Sequence, residues 1–403
     1  MCPTLFLVLF ANTIAAQGKV ISGTPQYFPP AGSWETRSPA SLGLGSAAID
    51  SAVTYAILNE SKSPRILRND QAATFGKEPF GDIIGPMPDR GGATGIIIYK
   101  GYIVKSWGDL LRCDITHSVT KSFLSTVVGL AVDNGLIRNV KDTVAPYVPP
   151  IEMYRARTDT SAVPELLNLY STIHNKTITW NDMLRQTSDW EGSLWGKPEW
   201  ADRPDSSRAD WKNRPRNKSG SVWEYNDVRV NALALAATSL WRRPLPQVLK
   251  EKIMDPIGAS STWRWTGYHN AWIVVDGQAI QSVSGGGHWG GGMIINAFDM
   301  ARFGLLTMHK GKWKGKQLIS GDWIKQALSP TPARPGYGYM NWHLNLDKKL
   351  IPSAPATAFM HLGNGANIIY VDPENEIVMV VRWIDNRKFD GLVKELLKAV
   401  KAK

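Results

Sequence analysis

Short apolar runs at residues 95–99 and 102–107 flank the dipeptide Lys100-Gly101, and this spacing predicts a β-hairpin. A helical pattern follows: residues 122–134 (SFLSTVVGLAVDN) read as an apolar helix stopped by Gly135, with Asp114-Ile115-Thr116 just ahead offering capping oxygens. From about residue 133 to 278 the pattern is helices separated by polar loops, including helices at 232–241 and 246–254. Strand-like alternation returns only near the end, at 365–371 and 377–383 around a turn at 372–375, before a last amphipathic helix at 390–401. Ahead of the hairpin, residues 18–90 are rich in Pro and Gly, carry one helix-like piece at 46–59, and read as a leader wrapping the surface. The pattern predicts an α/β (α+β) fold: an antiparallel sheet built from both ends of the chain, flanked by helices, with an inserted all-α domain. The expected division is a signal peptide at 1–17, the leader at 18–90, an α/β domain from 91–132 and 279–403, and a helical domain at 133–278.

Within that frame one tetrapeptide carries chemistry. Ser118-Val119-Thr120-Lys121 sets a serine and a lysine three residues apart at the start of the predicted helix, one turn apart on the same face. A serine hydroxyl needs a neighbour to take its proton, and a lysine can do so once burial or nearby positive charge lowers its pKa from about 10.4. A serine in the first helical turn also has unpaired backbone N–H groups at hand for a developing oxyanion. This is the only Ser-x-x-Lys in the chain, and it is followed by Tyr225-Asn226-Asp227 and by His361-Leu362-Gly363.

That ordered set resembles the penicillin-recognising serine hydrolases: class C β-lactamases, DD-peptidases, and the esterases and amidases that share their fold. Residues 179–191, 284–305 and 367–383 resemble segments of one branch, the 6-aminohexanoate-dimer hydrolase type, and the likeness runs from about residue 90 to the C-terminus. It implies a β-lactamase/transpeptidase-like fold in which Ser118 is the nucleophile and Lys121 and Tyr225 move protons. The backbone N–H groups of Ser118 and Asn364 would form the oxyanion hole, and Asp227, His361, Gly363 and Trp190 would contact substrate. Trp190, Glu191 and Trp195 fall in a loop that borders the pocket in the family. Two departures stand out. Asp227 occupies a position where the lactamases have Asn, and His361 one where many lactamases and peptidases have Lys, a better anchor for a substrate carboxylate. A carboxylate beside Lys121 also favours the ammonium form, which shifts the base role toward Tyr225.

The expected function is therefore hydrolysis of small esters or amides through an acyl-enzyme on Ser118. The alternatives are a β-lactamase or DD-peptidase, or a catalytically weak binding homologue. Composition fits: 403 residues with 43% hydrophobic content can bury a large core. The net charge of +11 is scattered, and its densest stretch, residues 203–218, is diluted by Asp205 and Asp210, so no nucleic-acid partner is expected. No Gly-x-Ser-x-Gly, His-Glu-x-x-His, Cys-x-x-Cys or phosphate-cradling loop occurs, so neither a cofactor nor a metal is expected, and His288 in the Gly-rich stretch 284–292 reads as a metal candidate without partners. Residues 1–17 combine an apolar core with Ala15-Ala16, which reads as a secretory signal and implies a secreted or periplasmic protein. No later stretch reaches the length of a membrane helix, Cys113 reads as a packed small residue, and the sequence assigns no oligomeric state.

Overall fold

The structure is a computed structural model that describes residues 26–154, 163–205, 207, 210–340 and 342–401. The proposed signal at 1–17 lies outside these. In chain order, the strands that position the site are β1 (Thr94–Tyr99), β2 (Tyr102–Trp107), β3 (Asp114–Ile115), β4 (Arg264–Thr266), β5 (Gly292–Ile295), β6 (Trp342–Leu344), β7 (Phe359–Gly363), β8 (Asn367–Asp372) and β9 (Ile377–Arg382). The helices around them are α1 (Ser46–Leu58), α2 (Leu67–Ala73), α3 (Thr120–Asp133), α4 (Asp227–Trp241), α5 (Ala297–Met308) and α6 (Phe389–Lys401).

Six strands form one antiparallel sheet in the order β6-β7-β8-β9-β1-β2. The β1-β2 hairpin near the N-terminal end pairs with β9 near the C-terminal end, in a register that sets Ile96 opposite Val380 and Ile97 opposite Met379. Because side chains alternate across a strand, the continuous apolar runs fill both faces of the sheet. Ile96, Ile98, Val378 and Val380 pack with Phe123 of α3 and Phe303 of α5. Ile97, Tyr99, Met379 and Val381 pack on the other face with α1 and α6. The leader therefore does more than wrap the surface: Ile49, Ala52, Val53 and Ala56 of α1 are buried in the outer layer.

Between α3 and β5 the chain is mostly helices and loops, with a small four-stranded sheet of residues 151–153, 166–167, 272–275 and 278–281. Periodicity leaves these strands among the polar loops because two to four residues are too few to show a period. A second sheet, β3-β5-β4, carries the chain into α3. It is joined to the main sheet by Arg382, whose buried guanidinium donates to the carbonyls of Ile295 and Asp114 and to Asn367 Oδ1. Burial lowers this arginine to about 10, which leaves it charged at neutral pH.

Replacing Arg382 with Met keeps the bulk and strands those acceptors, each worth roughly 1–3 kcal/mol when left unsatisfied. Urea unfolding of Arg382→Met is expected to show a loss of about 3–5 kcal/mol.

Candidate active site

β3 delivers the chain to Thr116 and then to His117, a non-glycine residue in the left-handed region with φ of 49°. Such a conformation persists only where the surroundings impose it. Here Met293 of β5 does so: Thr116 N donates to its carbonyl at 2.9 Å, and its own N–H donates to Thr120 Oγ1 at 2.9 Å. Ser118 sits in the 3-10 turn His117–Val119 that opens into α3. Neither Asp114 nor Thr116 caps that helix. Asp114 instead accepts from Arg112 and Trp383, and Thr116 Oγ1 donates to Met293. The first N–H groups of the helix are thus left without a side-chain cap.

Lys121 is fully buried on α3. Its Nζ lies 2.9 Å from Ser118 Oγ and 2.6 Å from Asp227 Oδ1, and donates to Gly285 O at 3.4 Å. Tyr225 Oη donates to the same Ser118 Oγ at 2.7 Å, and Lys121 Nζ stands 4.9 Å from the centre of the tyrosine ring. Burial and then the Asp227 carboxylate push the Tyr225 phenol well above its ordinary value, so it stays protonated. Burial works against ionised Asp227, but Lys121 and Arg203 outweigh it and hold this carboxyl well below the usual range.

Two anchors hold Tyr225 and Asp227. Asn226 is the N-cap of α4: its side chain accepts from Arg229 N and donates to Glu199 O, while its N–H donates to Gln186 Oε1 at 2.7 Å. One turn on, buried Arg229 reaches Asp189, Glu199 and Glu224 at 2.7–2.8 Å and donates to Trp190 O at 3.0 Å. Opposite them, β7 ends at Gly363, where a Cβ would stand 2.0 Å from Thr116 O and 3.2 Å from Ser118 N. Only glycine permits that approach, and it brings Asn364 to the cleft beside Ser118.

Two expected substrate contacts fall elsewhere. His361 faces the helix-side core, ringed by Phe303, Trp342 and Phe359 and 3.3 Å from Thr307 Oγ1, and burial lowers it to about 3. It is a neutral core residue because strand alternation turns Met360 and Leu362, its neighbours, to the cleft. Trp190 is buried behind the site and donates through Nε1 to Leu169 O. Asp227 does line the cleft, but its Oδ1 faces Lys121 and its Oδ2 faces Arg203.

Residues that the motifs did not indicate complete the site. Arg203 Nη2 lies 3.0 Å from Asp227 Oδ2 and its Nη1 lies 2.6 Å from Asp202 Oδ1. His288 is far from partnerless: Nδ1 is 3.3 Å from Asp227 Oδ2 and Nε2 is 3.3 Å from Glu78 Oε2. Although burial opposes it, these carboxylates raise His288 above its ordinary value, while burial raises Asp202 to about 6. Glu78, Asp202 and His288 bring donor atoms within 4.8 Å of one another. Arg203 takes one Asp202 oxygen, and each His288 nitrogen lies 3.3 Å from a carboxylate oxygen. The signal for this set was the Gly-rich stretch itself: a Cβ on Gly286 would stand 2.0 Å from His117 O, so the loop must hug the turn that carries Ser118.

The cleft above Ser118 measures about 570 Å³. Its walls are largely apolar, with Leu67 and Phe75 from the leader, Met87, Leu350, and Met360 and Leu362 around β7.

A serine, lysine and tyrosine converging between a helical region and an antiparallel sheet define the β-lactamase/transpeptidase-like class of fold. The chain belongs to the beta-lactamase family, which it matches over residues 115–395. Among solved structures it is similar to a beta-lactamase from Mycobacterium bovis at 17% identity, covering 79% of this chain and 96% of the other with a TM-score of 0.50. A penicillin-binding protein homologue from Caulobacter crescentus matches at 15% identity over 84% and 96% of the two chains, with a TM-score of 0.51. A family VIII carboxylesterase matches at 16% over 84% and 98%, with a TM-score of 0.52. At these identities the likeness is one of fold. No curated protein matches the chain. Among the described residues, no helix is long and apolar enough to cross a membrane.

Gly286 has a φ of 80° as well as its close contact with His117. Gly286→Ala is therefore expected to displace the turn that carries Ser118 and lower kcat/KM by at least about a hundredfold. Steady-state ester hydrolysis, with circular dichroism to check the fold, would measure this.

Proposed function

We propose that this protein is a serine hydrolase that cleaves small ester or amide bonds through an acyl-enzyme on Ser118. The observation that carries the reading is the convergence of Lys121 Nζ and Tyr225 Oη on one serine oxygen, at 2.9 and 2.7 Å. In acylation Ser118 Oγ attacks the carbonyl carbon and its proton passes to neutral Lys121. The oxyanion is held by the N–H groups of Ser118 and Asn364. As the tetrahedral intermediate collapses, Tyr225 protonates the departing alkoxide or amine and is re-protonated from Lys121. Water then attacks the ester on Ser118 with the same groups accepting and returning its proton. The raised phenol favours Lys121 as base and Tyr225 as acid, the reverse of what Asp227 implies in the sequence.

The apolar walls of the cleft support an uncharged, hydrophobic acyl or alcohol group. The carboxylesterase among the solved structures is consistent with such a substrate. A β-lactam or peptide carboxylate would lack its usual anchor, because His361 is neutral and packed in the core.

Intact-mass spectrometry after treatment with a fluorophosphonate tests the nucleophile. One adduct is expected on the wild type and none on Ser118→Ala; an adduct on both would place the nucleophile elsewhere. A substrate comparison tests the cleft: kcat/KM for a chromogenic cephalosporin is expected to be at least about tenfold below that for a short-chain p-nitrophenyl ester. A missing carboxylate anchor costs on the order of 1–2 kcal/mol. Comparable efficiencies would overturn the esterase or amidase reading.

A further inference from the structure

A lysine base faces an obstacle in this site. Asp227 Oδ1 is 2.6 Å from Lys121 Nζ, and an adjacent carboxylate holds a proton on an amine. The same carboxylate has a second oxygen, and that oxygen is not directed at Lys121. It lies 3.0 Å from Arg203 Nη2 and 3.3 Å from His288 Nδ1, so a guanidinium and an imidazole share the oxygen that Lys121 leaves free.

Both groups are held in place independently of Lys121. Arg203 has a left-handed backbone with φ of 52°, its N–H donates to Glu78 Oε2 at 3.3 Å, and its guanidinium packs 4.9 Å from the Tyr225 ring centre and 5.3 Å from that of Phe75. His288 is stacked on Phe75 at 4.5 Å and tied through Nε2 to Glu78. Two separate parts of the chain thus reach one carboxylate oxygen, the segment before α4 through Arg203 and the Gly-rich loop through His288, and the leader backs both through Phe75 and Glu78.

We infer that Arg203 and His288 are positioning residues that hold Asp227 by its second oxygen, so that Asp227 fixes Lys121 in place while Lys121 remains able to give up its proton. The inference rests on the reading of Lys121 as the acylation base. Asp227 then orients the amine without locking it as an ammonium, because its second oxygen is already shared by the Arg203 guanidinium and the His288 imidazole. The ionisable groups facing this centre are His117 and Lys121 from the nucleophile's turn and α3, Tyr225 and Asp227 at the start of α4, Asp202 and Arg203 before it, His288 from the loop and Glu78 from the leader. Arg382 lies beyond His117. His117 is kept neutral, lowered to about 4 by burial and by Lys121.

The sign of the effect follows. Removing a cation from the far oxygen concentrates the Asp227 charge on Lys121, stabilises the ammonium, and moves the rise of activity to higher pH. The test is the pH dependence of kcat/KM for a short-chain p-nitrophenyl ester, which reports groups of the free enzyme. In Arg203→Gln the acidic limb is expected to move up by about one pH unit. This is read as roughly tenfold lower kcat/KM at a fixed pH on the limb, with the high-pH plateau largely recovered. Arg203→Lys should restore most of the wild-type profile, and His288→Gln should move the limb in the same direction by less. A purely structural role would lower the plateau and leave the limb where it is, and that result would overturn the inference. If Arg203→Gln does not fold, the limb of His288→Gln decides. Lys121→Ala separates this from the underlying reading: if that variant keeps wild-type activity, Lys121 is not the base and both fail. If it is inactive while Arg203→Gln and His288→Gln keep the wild-type limb, only the role given to Arg203 and His288 fails.

Discussion

A charged amine with no access to water must be paired or must lose its proton, and Lys121, fully buried on α3, is the group on which the rest of the site turns. Two unit charges 4 Å apart interact by about 4 kcal/mol at an effective dielectric near 20, so its nearest counter-charge can set its protonation. That counter-charge is Asp227, at the first position of α4, and Asp227 stays where it is because a second set of charges pins the helix. Arg229 is itself buried and bound by three carboxylates of the preceding loops. Breaking such a buried pair from one side costs roughly 3–5 kcal/mol, which makes the start of α4 a stiff platform rather than a mobile loop.

The arrangement divides the labour between geometry and charge. Glycines at 286 and 363 let two backbones approach the turn that carries Ser118 to distances no other residue allows. Carboxylates and guanidinium groups then fix the side chains that backbone contact cannot reach. Packing sets where Ser118 is, and the ion network sets which proton-carrying groups surround it.

Much of this was legible in the sequence, for local reasons. The β1-β2 hairpin, the apolar helix after Ser118 and the last two strands declare themselves within windows of ten or fifteen residues. Ser118, Lys121 and Tyr225 are brought together as their motifs imply. What was illegible depended on neighbours distant in the chain. Whether His361 or Leu362 faces the cleft is a matter of strand parity, and parity is decided by β6 and α5, which the tripeptide does not contain. Arg203 lay in a charged run that suggested no partner, and His288 in a glycine tract without visible partners. Their common partner Asp227 was read against Lys121 and the substrate, with no sign of either. Trp190 looked like a pocket wall by position, but its indole found a carbonyl to satisfy in the core.

The pairing of β1 with β9 has a consequence for how the protein comes into being. A ribosome adds roughly 5–20 residues each second, so β1 and the helix bearing Ser118 are made some tens of seconds before the strand that completes their sheet. Until then Ile96 to Ile98 present an unpaired apolar edge, and the carbonyls that Arg382 will bind have no donor from it. Vectorial synthesis can build the hairpin and the inserted helices early, but the surroundings of Ser118 close only when residue 382 has emerged. The candidate site is thus among the last features of the fold to form, and the nascent chain is most exposed to aggregation just before it does.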